Sequence, residues 1–514
     1  MKKYIVVAVF VVIGSFAFAQ TEYDALRLSQ TTLSGSARYM GMGGAFGALG
    51  ADATALKDNP AGLGVFRSSE IAFTLNGAFQ SNKAVWKGTS TKESGNNLRF
   101  DALSYVMAIP IYNEGAGGLV SSNFSFTYNK VRDFNRAIIA KGSKLDRSFT
   151  DFMAGYTTAA NRIEQDVEKK ANFDPYIDRN SDGNYAPWLA VLGYNGYLIN
   201  PEVKNNLTTW VSNFPGQLVN PTSKIFEKGS INEYGFGWAG NFDNKFFLGV
   251  NANMYSLNYD LESTLGESLS NGNFTLVNYL SQTGTGINLK IGGLYLPTNN
   301  LRLGVAVHTP TFYSISESMH FELNSSQLAP GKVEKPSRIG TQEYHLQTPF
   351  QAQASIAYLF GRKGLLSAEY NFINYTGIRL RDSESNSSSF DLENKGMSKV
   401  LRNGHLIKMG AEMKPVETFA LRAGYAFATG ANNPDYTEGK SLRLNSTTTD
   451  TEYLDHINTQ YITLGAGYRQ PSWYLDVAYV LRLQKDSFHP YQGAYAADIS
   501  SSTSNIVATL GFKF

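Results

Sequence analysis

The chain has 514 residues, with 45 Lys and Arg against 43 Asp and Glu, so it lacks the basic excess that a nucleic-acid-binding face needs. It has no cysteine, which excludes disulfides, thiolate metal centres and a lipidated cysteine anchor. Tyr (30), Phe (32) and Gly (48) are abundant, yet after the amino-terminal leader no apolar run reaches the roughly 18 residues of a spanning helix.

Residues 1–19 read as a secretory signal peptide. Lys2 and Lys3 precede the apolar run Tyr4–Ile13, and Ala17-Phe18-Ala19 is a small-x-small cleavage site before Gln20. Its removal takes away two lysines and no acid, which leaves the mature chain with 43 charges of each sign.

Residues 20–66 lack strand alternation. Glycines stand at 41, 43, 44, 47 and 50, but no strand leads into them and the G-x-G-x-x-G spacing is not met, so a dinucleotide site is excluded. Glycine lets backbones approach closely, as a compact plug requires. Asn59-Pro60-Ala61-Gly62 has two readings. It either makes a turn that ends the plug, or it touches ligand as a gate.

From Ser69 onward the pattern is strand-like, with side chains alternating at period two. Strands are expected near 69–79, 101–111 and around Phe124–Tyr128, then near 231–241, 246–262, 284–296, 301–310, 348–360, 365–376, 404–414, 418–428, 459–469, 473–484 and 503–514. Fourteen strands result. Short Gly, Pro, Asn and Asp turns fall on one side of this array and long connections on the other, as in bacterial outer-membrane barrels. Phe419, Leu421, Ala423, Tyr425 and Phe427 share one face, and so do Trp473, Leu475, Val477, Tyr479 and Leu481. Arg422 and Arg482 fall opposite them. A lipid-facing Arg would cost about 2–4 kcal/mol at mid-membrane, so both should face the lumen. The last strip puts Ile506, Ala508, Leu510, Phe512 and Phe514 outward, broken only by Val507 on the other face.

The insertion at about 135–230 carries helix patterns instead. Ser148-x-x-Asp151 resembles a capping box, and Phe149, Met153, Tyr156, Ala160, Ile163 and Val167 follow at helical spacing. Trp188, Leu189, Val191 and Leu192 form a second apolar cluster, and Leu207, Trp210, Val211 and Phe214 a third. They form either a local core or a groove that captures an apolar ligand, with Trp188, Leu192, Trp210 and Phe214 as its candidate contacts. Asp178–Asn184 has oxygen ligands at alternate positions like half a calcium loop, but position twelve is Leu189 and not Glu, so a polar turn is expected and no metal site. No Ser stands in a recognisable motif with His308 or His405, so no catalytic residue is assigned.

The run Ser36-Ala-Arg-Tyr-Met-Gly-Met-Gly-Gly-Ala45, with Ala51-Asp-Ala53 and Asn59-Pro-Ala-Gly62, resembles the amino-terminal hatch of the FadL family of outer-membrane channels for long-chain fatty acids and other hydrophobic compounds. The resemblance implies an all-β, fourteen-stranded transmembrane antiparallel barrel over residues 67–514. A hatch over 20–66 would lie in its lumen, and a helix-containing extracellular insertion would stand above it. It implies passive uptake of fatty acids, lipids or aromatic hydrocarbons without a cofactor, in contact with outer-membrane lipid. Phe514 would serve recognition by the barrel assembly machinery. Arg38, Met40, Phe46, Lys57, Arg302 and Arg422 become ligand-binding candidates, the cations for a ligand carboxylate. In the family a kinked third strand opens the wall sideways; Gly115, Gly117, Gly118, Ser121 and Ser122 are the residues here that could relax it. A polar-solute porin and a surface-binding adhesive barrel are the alternative readings.

Overall fold

The computed structural model describes residues 22–111, 118–205, 207–270, 272–325, 328, 333–335, 339–383, 390–433, 449 and 451–514. The signal peptide, Gly115 and Gly117 lie outside these residues.

Fourteen wall strands form one closed antiparallel barrel. In chain order they are β1 (Glu70–Trp86), β2 (Thr89–Pro110), β3 (Leu119–Asp133, continued by Arg136–Lys141), β4 (Asn220–Phe242), β5 (Phe246–Leu269), β6 (Gly272–Tyr295) and β7 (Leu301–His308, continued by Phe312–Asn324). Then come β8 (Gly340–Gln347, continued by Gln351–Leu359), β9 (Gly364–Ile373, continued by Arg379–Asp382), β10 (Gly404–Val416), β11 (Phe419–Thr429), β12 (Tyr453–Arg469), β13 (Trp473–His489) and β14 (Ala497–Lys513). Closure is the pairing of β1 with β14, from Glu70↔Lys513 to Trp86↔Ala497. A closed ladder leaves no unpaired sheet edge in lipid. Among the described residues no helix is long and apolar enough to cross a membrane.

Several strands, among them β1, β2, β4, β5 and β6, run well past the expected ends, and on β5 the reason is an inversion of polarity along the strand. On β5, Phe246, Leu248, Val250, Ala252 and Met254 face out, while Asn251 and Asn253 are buried inside. Beyond Met254 the outward positions are Ser256, Asn258, Asp260 and Glu262, and the buried inward ones are Tyr255, Leu257, Tyr259 and Leu261. The apolar belt therefore covers about nine residues, the length a tilted strand needs to span. Above it the strands stand in water and enclose an apolar interior. Three neighbouring strands, β7, β8 and β9, are also interrupted at one level, by Pro310, by Pro349 and by the turn Tyr375–Gly377. Proline cannot donate to a ladder, so the sequence pattern stops there although the wall goes on.

Helix α1 (Glu22–Ser29) and α2 (Ala37–Gly41) belong to the amino-terminal segment. Leu26 and Leu28 of α1 pack among Ile225, Leu257, Leu261 and Phe488 in the upper interior. Further down, Ala37, Met40 and Phe46 pack on Ala426, Ala478 and Val507 of the wall. Val507, the one apolar residue out of phase in the last strand, is fully buried in that contact.

In the insertion, α3 (Phe149–Ala159) starts at Ser148, whose hydroxyl accepts from the Thr150 amide. It stops sooner than expected, because Asn161 takes a left-handed φ of 52°, and α4 (Glu164–Val167) follows as a separate turn. Helix α5 (Trp188–Asn195) holds the second apolar cluster. The third cluster is not helical: Leu207–Ser212 pairs with Ile199–Lys204 as a hairpin. Helix α6 (Asp391–Val400) lies near α1.

Candidate functional site

Residues 33–66 pack against inward-facing residues of many wall strands. Asn59 caps the short helix Pro60–Val65, its side-chain oxygen accepting from the Ala61 amide at 3.0 Å. Its side-chain nitrogen donates to the carbonyls of Gly47 (2.7 Å) and of wall residue Gly293 (3.2 Å). Pro60 and Ala61 lie against β5 so closely that a Cβ at Gly249 would meet their backbone. Ala61 is buried, and Gly62 faces Gly50, where added Cβ atoms would come within about 3.0 Å of backbone. Gly43, at φ +63°, puts its backbone against Tyr425 and Met409; a side chain there would be both strained and obstructed.

A buried charge network joins this segment to the wall. Asp58 accepts from the Tyr39 hydroxyl at 2.5 Å and pairs with Lys57 at 3.2 Å and with Lys408 of β10 at 3.0 Å. Lys408 also pairs with Glu369 of β9 at 2.8 Å, and Glu369 accepts from the Gly47 amide at 2.8 Å. Burial pushes the Asp58 carboxyl up, but the ammonium groups of Lys408 and Lys57 outweigh it and hold the group well below the usual range. Burial pushes the Tyr39 phenol up to about 12. Nearer the short turns, Arg422 lies fully buried between Glu412 (2.7 Å) and Asp476 (2.6 Å), and Arg38 shares Glu412 at 3.3 Å.

The candidate cations therefore differ in kind. Arg38, Lys57 and Arg422 are engaged by carboxylates of the protein itself. Arg302 donates to the Leu49 carbonyl at 2.7 Å and has no carboxylate within ion-pair distance among the described residues. Met40 and Phe46 are packed, Phe46 beside Tyr39 and under Arg38. Trp188, Leu192, Trp210 and Phe214 meet in one closed core with Phe274 and Phe321 from the wall extensions, so none of the four lines an open groove here. Asp178 and Asp182 serve their own loop, Asp178 accepting from the Asp174 amide and Asp182 from the Asn184 amide. His308 lies 2.7 Å from the Asp58 carbonyl oxygen.

Glu369, Lys408, Glu412, Asp58 and Tyr39 are missing from the sequence-derived candidates. The signal existed: Glu369 and Lys408 are cross-strand partners, as are Glu412 and Arg422, and all four sit in the inward phase.

A cavity of about 90 Å³ lies between this segment and the wall, beside Lys57, Asp58, Tyr255, Lys290 and His308. The ladder between β2 and β3 ends at Ala102↔Asn129, and β3 shifts register at Lys130/Arg132 before resuming against β4 at Arg136. The break in the third strand thus lies above Phe124 and Phe126. A second shift at Leu119/Ser121 sits beside Gly118.

This is the architecture of an outer-membrane β-barrel that crosses the membrane many times, with an apolar belt outside. Its fold is that of the FadL-type channels. A FadL homologue of Pseudomonas aeruginosa matches at a TM-score of 0.55 and 12% identity, over 94% of this chain and 99% of that one. The Pseudomonas putida toluene transporter TodX matches at 0.50 and 12%, over 94% and 99%. A TodX deletion variant, described as a monoaromatic hydrocarbon channel, matches at 0.52 and 13%, over 94% and 99%. No family model and no curated protein matches the sequence.

Proposed function

We propose that the protein is a passive outer-membrane uptake channel for hydrophobic compounds, with fatty acids or small aromatic hydrocarbons as the substrate class. One observation carries the reading: above the membrane belt the interior of the barrel holds a buried apolar cluster that includes Ile225, Ile231, Leu257, Leu261, Ile315 and Leu380. A polar-solute porin needs a polar, water-filled interior. The fold shared with the toluene transporter and the FadL homologue supports the same class. The insertion captures ligand once its core parts, residues 20–66 act as a hatch, and the hatch shifts to release the ligand. The stretch above Ala102 and Asn129, where the ladder between β2 and β3 ends, serves as the sideways exit.

The test is removal of residues 21–58. The strands from β1 onward satisfy their own backbone, so the barrel should still fold. Ion conductance should rise, and saturable uptake of labelled laurate or toluene should fall. Conductance that is already open in the intact protein, and unaffected by either compound, would favour a porin. Unchanged uptake together with loss of cell-surface binding on deletion of 135–230 would favour an adhesive barrel.

A further inference from the structure

Above the apolar belt, four neighbouring strands carry a row of lysines on the outer wall with no acid opposite them. The ladders set Lys485 of β13 opposite Ser500 of β14, Ser500 opposite Lys83 of β1, and Lys83 opposite Lys92 of β2. All three lysines are exposed and share the outward phase of the belt: Lys83 with Phe79, Lys92 with Leu98, and Lys485 with Leu483. Among the described residues none of the three ammonium groups makes an ion pair or a side-chain hydrogen bond. The outward acid beside the row, Asp498, stands one step higher, opposite Val85 and Ser487, and makes no ion pair with them.

Like charges directly opposite each other destabilise an antiparallel pair, and Lys83 faces Lys92. Farther round the same outer wall the pairing is complementary, with Lys228 of β4 opposite Asp260 of β5. The lysine row therefore carries a cost that the fold itself does not offset, and an anion from outside the chain would offset it. Below the row, Ser81 lies between Ser502 and Ser94, and one step lower Phe79 and Leu481 flank Ser504. Lys83 stands about 13 Å along the strand from Phe79, or about 10 Å in height for a strand tilted by about 40°. The head-group layer of a bilayer begins at the edge of its hydrocarbon and is on the order of 5–8 Å deep. A lysine stem bends back over that difference and keeps its charge at the interface.

We propose that Lys83, Lys92 and Lys485 form a binding site on the outer wall for the phosphorylated head group of a lipid in the surrounding leaflet. Its acyl chains lie along the belt beside Phe79 and Leu481. The row spans about 14 Å across four strands, wider than one phosphate, which suits a head group that carries two. The hydroxyls of Ser500 and Ser502 add donors to the same oxygens.

Native mass spectrometry of the purified full-length protein, released from mild detergent after equilibration with diphosphoryl lipid A, tests this. Dephosphorylated lipid A and inorganic phosphate are the comparison probes. The wild type should hold diphosphoryl lipid A more tightly than the dephosphorylated form by about tenfold or more, since a hydrogen bond to a charged group contributes a factor of that order. Lys83→Gln with Lys92→Gln and Lys485→Gln should remove the preference. Lys83→Arg with Lys92→Arg and Lys485→Arg should keep it, and so should Lys228→Gln. Heat-modifiable migration verifies that each variant folds. Equal retention of the two lipids by the wild type, a preference that survives in the Gln variant, or an equal loss in Lys228→Gln would overturn the site. Displacement of the bound lipid by an equimolar amount of inorganic phosphate would overturn the assignment to a lipid.

Discussion

Lys408 of the wall and Asp58 of the amino-terminal segment form an ion pair at 3.0 Å, and the same ammonium holds Glu369 at 2.8 Å. Removing one partner of a buried pair costs about 3–5 kcal/mol, because the other charge stays buried. Lys408→Met leaves Glu369 without its cation and Asp58 with Lys57 alone, whereas Asp58→Asn leaves Lys408 with Glu369. Single-channel recordings should therefore show more frequent opening in Lys408→Met than in Asp58→Asn, with the double variant between them. Identical traces for all three would mean that the pair does not hold the segment in place.

Asn59→Ala removes the cap of the Pro60 helix and leaves the Gly47 and Gly293 carbonyls without that donor. Cap loss costs about 0.5–2 kcal/mol. Gly249→Val presses on Pro60 from the wall side and adds about 1–3 kcal/mol of overpacking. Both should loosen the segment and raise conductance while the barrel still migrates as folded. Protease nicking confined to residues 20–66 would report the loosening directly.

Glu267 gives the insertion a pH dependence. It stands well above the belt of β5 and accepts from the Ser148 hydroxyl (2.6 Å) and the Phe149 amide (2.8 Å) at the start of α3. Burial pushes its carboxyl up to about 7, although those bonds lower it. The released insertion would ionise this group in the ordinary carboxylate range. Docking should be firmest below that range and weaken as pH rises toward 7, by at most about 1.4 kcal/mol per unit. Limited proteolysis of 135–230 should be faster at pH 8 than at pH 5. Glu267→Gln should flatten the difference.

Cysteines placed at Asn299, Lys363 and Glu417 should be labelled only from the periplasmic side, because these residues sit in the short turns. A cysteine at Asn180 should be labelled on intact cells once the local turn admits reagent. Surface labelling of the first set would invert the orientation.

The strand count, the lumen phase of Arg422 and the final strip were legible because lipid on one side and protein on the other enforce alternation. The upper halves of β5 and β6 were not. There the apolar face turns inward, so the expected strands 246–262 and 284–296 fall short of Phe246–Leu269 and Gly272–Tyr295. The Leu207 cluster misled for another reason: Leu207, Trp210 and Phe214 fit helical spacing, but Asn205, at φ 53°, turns the chain into a hairpin. The charge network around Asp58 depends on which strands close on the segment, and that is fixed by the wall ladder more than by any local run.

Movement of the amino-terminal segment is the centre of the account, and a reversible lock tests it. A Cβ built at Gly41 lies 3.5 Å from the Ala478 Cβ, within the span a disulfide bridges. The chain has no other cysteine to compete. Gly41→Cys with Ala478→Cys, oxidised in place, should abolish saturable uptake of labelled laurate or toluene, and dithiothreitol should restore it. Uptake that is equal in the oxidised and reduced states would contradict a gate built from this segment.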